Sequence, residues 1–164
     1  MTPVTVEAEP VIEMPPRIIL PAMEDCVFCG IVAHRLPSWT VEEAAGAVAF
    51  LTIQPFAEGH TLVVPRTHAE TLDDVADGER TALWDLVHRV ARRMRAAGLA
   101  DGVNLFVASG PAAEQSVRHL HVHLVPRRVG DQFDLNSWFD SKVRSVPDAR
   151  QRELARRLGP PERG

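Results

Sequence analysis

The apolar positions of this chain fall into short alternating runs, with one longer helical period between them. Trp39-Thr40-Val41-Glu42 and Ala47-Val48-Ala49-Phe50-Leu51 flank Ala45-Gly46 and read as two strands around a turn. Thr61-Leu62-Val63-Val64, entered through Glu58-Gly59 and stopped by Pro65, has the continuous apolar character of a buried strand. From Asp77 to about Ala97 the period changes. Leu83, Leu86, Val87, Val90 and Met94 share one face of a helix that Asp77 caps and Gly98 ends. Strands return at Val103–Ala108 and Arg118–Val125. A short helix is expected over residues 26–35, closed by Leu36-Pro37, and another over residues 148–158, where Leu154 and Leu158 interrupt an Arg-rich segment. The pattern predicts an α+β fold: an antiparallel sheet of about five strands with one long helix and short helices packed on it.

Composition narrows the organisation. The 164 residues suit one domain with a genuine core. Residues 1–22 are expected to form a Pro-rich arm, since Pro15-Pro16 and Pro21 forbid regular structure. Residues 23–132 then form the domain proper, and residues 133–164 a C-terminal extension with a helix. A net charge of −4 gives no basic excess for nucleic acid. No apolar run reaches the ~20 residues of a membrane span. The acidic, proline-interrupted N-terminus is neither a signal nor a transit peptide. Cys26 and Cys29 lie too close together to staple a fold, so a cytoplasmic protein is expected.

The chemistry concentrates in His119-Leu120-His121-Val122-His123-Leu124-Val125. A strand has a side-chain period of two, so all three imidazoles are expected on one face, ~6–7 Å apart, with Leu120, Val122 and Leu124 turned into the core. Burying three imidazoles without partners is costly, and a merely solvated face would draw Thr, Lys and Glu instead. Such a face can bind metal, and it can attack or cradle a phosphate. Cys26-x-x-Cys29 is open to three readings: a redox pair, half of a zinc site completed by His68 and His119, or two small buried apolar residues. Ser116, just before the histidines, lies where a hydroxyl and backbone N–H groups can hold an oxyanion. His34 and His88 read as surface residues.

These motifs resemble the histidine triad (HIT) family, whose signature of three histidines alternating with apolar residues is matched in full at residues 119–125. The likeness extends over Cys26–Ile31, Gly59–His68 and Gln115-Ser116-Val117, in order, and spans roughly residues 24–132. The resemblance implies a nucleotidyl hydrolase or transferase that cleaves a P–O–P or P–N linked nucleotide conjugate. His121 would be the nucleophile, oriented by the backbone carbonyl of His119, and His123 and His60 would bind phosphate oxygens. Gln115 and Ser116 would contact the bridging or leaving-group atoms. Val27, Phe28, Ile31, Phe50 and Ile53 would line the base pocket. A structural zinc would sit on Cys26, Cys29, His68 and His119. A homodimer through the long helix and an adjoining strand is also implied, with a small nucleotide or phosphorylated metabolite as substrate.

Three positions depart from the family pattern. Thr52 stands where an Asp usually binds the ribose hydroxyls, Ala108 replaces an Asn, and Glu114 replaces a Gly beside the phosphate. A hydroxyl lacks the charge-assisted bidentate grip of a carboxylate, and a carboxylate near phosphate is repulsive unless it turns away. The alternatives to nucleotide chemistry are therefore a specialised enzyme acting on a non-nucleotide substrate and a non-catalytic, zinc-stabilised interaction protein.

Overall fold

Five strands are laid down in chain order as β1 (Trp39–Glu43), β2 (Ala47–Leu51), β3 (Thr61–Pro65), β4 (Gly102–Val107) and β5 (Val122–Arg127). The helices are α1 (Val27–Val32), α2 (Asp77–Ala96) and α3 (Asp148–Leu158). The structure is a computed structural model and describes residues 26–131 and 145–160, so the expected arm at residues 1–22 lies outside it. The strands form one antiparallel sheet in the order β1-β2-β3-β5-β4. The expected α+β architecture is what forms.

Alternation divides the sheet into two faces. Ala47, Ala49, Leu51, Val63, Val122 and Leu124 turn to one side, where α2 and α3 add Leu83, Leu86, Val90, Met94, Leu154 and Leu158 to the main core. Val48, Phe50, Leu62 and Val64 turn to the other and meet Phe28 of α1. Strands β2 and β3 are thus covered on both faces, which is why every residue in them is buried and why they read as continuous apolar runs. Helix α3 shares the core of the domain, its Leu154 and Leu158 fully buried against that face.

Helix α2 ends as its sequence predicts, with Gly98 at φ +64°, a left-handed position that glycine takes without steric cost. Its start differs. Ala76 occupies the cap position and makes no side-chain bond, while Asp77 is the first helical residue and pairs with Arg80 at 2.8 Å. An acidic first turn still complements the helix dipole. The last strand also differs: it opens at Val122 and runs to Arg127, so His119 and His121 precede it. The lead-in is pulled out of the ladder by its own bonds. The His119 N–H donates to the Val117 carbonyl at 2.8 Å, and that of Leu120 donates to the Ala69 carbonyl at 2.7 Å. Among the described residues no helix is long and apolar enough to cross a membrane.

Candidate active site and metal centre

The side of the sheet opposite α2 and α3 gathers the histidines. Leu120, Val122 and Leu124 all enter the main core, as alternation requires, which directs the imidazoles the other way. The ring centroids of His121 and His123 are 4.9 Å apart, and Phe28 stands edge-on to His121 at 5.2 Å. His119, His121 and His60 are almost completely buried, at 0%, 2% and 1% exposure.

Hydrogen bonds fix what each ring offers. The Nδ1–H of His121 donates to the His119 carbonyl at 2.8 Å, which leaves the Nε2 of His121 with its lone pair. A second chain begins at a backbone donor. The Phe56 N–H donates to Nδ1 of His60 at 3.2 Å, so His60 carries its proton on Nε2 and donates it to Nδ1 of His123 at 3.0 Å. A neutral His123 then carries its own proton on Nε2. Two adjacent rings are thereby set in opposite senses, one with a nucleophilic lone pair and one with an N–H.

Burial keeps these rings neutral. It pushes His60 down to about 3, with the neighbouring His121 adding to the effect. Burial, then His121 and His60, push His123 down to about 2. His121 is also lowered by burial, opposed by its bond to the His119 carbonyl. At neutral pH the pair is therefore ready to attack an electrophile and hold an oxygen without first losing a proton.

The third histidine faces elsewhere. The Nδ1 atom of His119 lies 3.5 Å from the sulfurs of both Cys26 and Cys29, and Nδ1 of His68 lies 3.3 Å from the Cys29 sulfur. All four ligand atoms fall within 4.8 Å of one another. Bond lengths of ~2.3 Å to sulfur and ~2.0–2.1 Å to nitrogen around one tetrahedral ion imply S···N edges of about 3.6 Å. The set can hold a metal. His119 donates from Nε2 to the Pro65 carbonyl at 2.9 Å, which frees Nδ1 as a ligand and supplies the outer bond that metal-binding histidines require. Both cysteines are free thiols, and burial, then Cys26, push Cys29 up to about 11. A divalent cation would hold it as thiolate instead.

The remaining expected residues separate into those brought together and those not. Phe28 and Phe50 sit in one apolar cluster with Val27 and Ile31 packed on it, whereas Ile53 is 80% exposed and outside that cluster. Gln115 spends its amide on the backbone: Oε1 accepts from Gly110 N–H at 2.7 Å, and Nε2 donates to the carbonyls of Glu70 and Val117 at 2.7 and 2.9 Å. It clamps the loop before the histidines. Ser116 is exposed in that loop, and Ala108 follows β4 directly. Glu114 is exposed at φ +58°, ψ +32°, a left-handed conformation suited to glycine. The Thr52 hydroxyl accepts from the Gln54 N–H at 3.2 Å. His34 and His88 are exposed, as expected.

The HIT domain profile matches residues 34–130 of this chain. The chain belongs to the HIT family. Among its relatives is an uncharacterized HIT-like protein of Mycobacterium tuberculosis, 42% identical over 113 residues, covering 67% of this chain and 76% of that one. The adenosine 5'-monophosphoramidase of Saccharomyces cerevisiae is 36% identical over 126 residues, covering 73% and 77% respectively. A crystal structure of a zinc-bound histidine triad family protein from Mycobacterium smegmatis superposes with a TM-score of 0.72 at 38% identity, covering 82% of this chain and 91% of that one. The HIT match begins after Cys26 and Cys29, so half of the candidate metal-ligand set lies on the segment just before it.

Sequence reasoning had the His119 carbonyl behind His121 but missed the groups that orient His60 and His119. Phe56 supplies the N–H that sets the His60 tautomer and stacks on that ring at 5.5 Å. The Pro65 carbonyl does the same for His119. Backbone groups carry no sequence signal. Gln151 of α3, which donates to the Thr52 carbonyl at 3.0 Å, did leave one. It is a polar residue in the stripe Gln151, Leu154, Ala155, Leu158 that faces the core.

Proposed function

We propose that this HIT-family protein is a nucleotidyl hydrolase or transferase acting on a P–O–P or P–N linked nucleotide through a covalent nucleotidyl-His121. The observation that carries the reading is the opposed setting of two neutral, adjacent rings: His121 with its Nε2 lone pair, His123 with an N–H supplied through His60. The Nε2 lone pair of His121 attacks the α-phosphorus, an N–P bond forms, and the bond to the leaving amine or phosphate breaks with its electron pair. The leaving group takes up a proton. Water then attacks the same phosphorus, loses a proton, and returns the pair to Nε2. The Nε2–H of His123 holds a non-bridging oxygen, with His60 fixing that proton from behind through its bonds to the Phe56 N–H and to His123 Nδ1. The loop clamped by Gln115 brings Ser116 to the leaving group. Val27, Phe28, Ile31 and Phe50 receive the base.

Zinc fits Cys26, Cys29, His68 and His119, a sulfur- and imidazole-rich tetrad whose Sγ···Nδ1 contacts of 3.3 and 3.5 Å suit a tetrahedral ion. When bound it would contribute structure, with Cys26 and Cys29 holding α1 to His119 ahead of β5, beside the contact of Phe28 with His121. Residues 23–132 form the catalytic domain in this reading, residues 1–22 an arm and residues 133–164 an extension. A homodimer is supported by the edge strand β4, whose Leu105 and Val107 are exposed, and by exposed Trp84 on α2. We place the protein in the cytoplasm, where both thiols stay reduced.

A second reading, a non-nucleotide substrate on the same chemistry, is favoured by Thr52 and Glu114, which replace the usual ribose and phosphate partners. One experiment separates them. The protein is incubated with adenosine phosphoramidate and with dinucleoside polyphosphates, quenched, and analysed by mass spectrometry. The expected result is turnover, with an acid-labile nucleotidyl adduct absent in His121→Ala. No turnover and no adduct with any nucleotide refutes the nucleotide reading.

A further inference from the structure

Helix α3 lies outside the residues matched by the HIT domain, yet it grips both shoulders of the loop that joins β2 to β3. That loop carries Thr52 and Ile53 at one end and His60 at the other. Gln151, 2% exposed, donates from Nε2 to the Thr52 carbonyl at 3.0 Å, and the Thr52 N–H donates in turn to the His60 carbonyl at 3.1 Å. Arg150 next to it reaches the Glu58 carboxylate through Nε and Nη2 at 3.1 and 2.7 Å. Further along the helix, Leu158 stands 3.7 Å from where a side chain on Gly59 would begin.

Among the described residues the Gln151 side chain makes one hydrogen bond, that to the Thr52 carbonyl. Its Oε1 is buried without a hydrogen-bond partner, a state that costs stability and that an apolar side chain of equal size would avoid. Carbonyl oxygens only accept, so the amide must turn Nε2 toward Thr52 and leave Oε1 behind. A buried polar side chain in a native fold calls for a reason, and the bond to the Thr52 carbonyl is the one this structure offers.

We propose that Gln151 and Arg150 are positioning residues, through which α3 sets the Thr52 edge of the substrate site and the aim of His60 at His123. The kinetic part of this proposal rests on the nucleotide reading above, while the structural part does not. Gln151→Met keeps the volume, removes the tie and removes the orphaned oxygen, so the fold is held. Arg150→Met cuts the second tie, and Arg150→Lys retains one charge-assisted contact.

Amide exchange and steady-state kinetics on the full chain test it. In Gln151→Met, exchange across residues 52–60 rises about fivefold, the equivalent of one ordinary hydrogen bond, while α2 is unchanged. KM for adenosine phosphoramidate rises by about the same factor with kcat within twofold. Arg150→Met loosens the same segment, and Arg150→Lys restores part of the protection. Unchanged exchange in the loop, or an equal rise in the loop and α2, overturns the proposal. So does loop loosening with KM unmoved in an enzyme that turns over. If the unaltered protein turns over no nucleotide, the nucleotide reading fails, and the exchange result alone decides the role of α3.

Discussion

Acid should weaken this fold through His60, and the size of the effect follows from its surroundings. His60 is 1% exposed, accepts from the Phe56 N–H, faces His121 and His123, and is held neutral down to about 3. In the unfolded chain an imidazole protonates near ~6.5. Its folded value is depressed, so the unfolded state binds the extra proton between these limits. The stability it contributes is fully present above pH ~6.5 and is lost progressively as pH falls toward 3. From pH 7.5 to 5.0, one such group costs about 2 kcal/mol. His123 acts in the same direction. Urea unfolding at a series of pH values measures the slope, and His60→Gln, which cannot titrate but can donate, isolates the contribution. The parent should lose about 2 kcal/mol more than the variant over that interval. Equal losses in the two proteins would show that His60 is solvated or charged in the fold, and the neutral chain through Phe56 and His123 would be wrong.

Other consequences follow from the same geometry. Metal analysis of the purified protein should give one zinc per chain, and Cys29→Ser should lower both the zinc content and the melting temperature; a metal-free protein of unchanged melting temperature refutes the tetrad. Glu114→Gly, which ordinarily destabilises a chain by ~0.5–1 kcal/mol, should here be neutral or stabilising in urea, because left-handed backbone costs a side chain about 1–2 kcal/mol. A clear loss of stability would show that the turn is not strained. Leu105→Lys should convert a dimer to a monomer in sedimentation velocity, and a parent that already sediments at 18.1 kDa refutes the interface.

The site was legible in the sequence to differing depths. The alternation of His119, His121 and His123 against Leu120, Val122 and Leu124 put the imidazoles and the core on opposite sides, even though the ladder itself starts only at Val122. The His119 carbonyl was expected behind His121 and is found there. The tautomers of His60 and His119 were not legible, because they depend on the N–H of Phe56 and the carbonyl of Pro65, and every residue has a backbone. Gln115 was placed at the leaving group by its motif, yet its amide is taken up by Gly110, Glu70 and Val117. Ile53 was placed in the base pocket and stands exposed. Asp77 was the natural cap of α2 by residue type, but the chain enters one residue earlier, at Ala76.

By itself the sequence determined the periodic elements, the residue types of the metal cluster and the triad, and the family they belong to. These are local properties: side-chain period, ligand chemistry and short motifs need no knowledge of what lies across the fold. Tertiary structure alone decided that residues 93 positions apart, Cys26 and His119, come within 3.5 Å of each other. It also decided which nitrogen of His60, His119 and His123 carries the proton, and that Gln151 of a C-terminal helix outside the matched domain bonds the Thr52 carbonyl in the loop that leads to His60. Those features depend on partners distant along the chain, and only the closed sheet with its two covered faces brings them within bonding range.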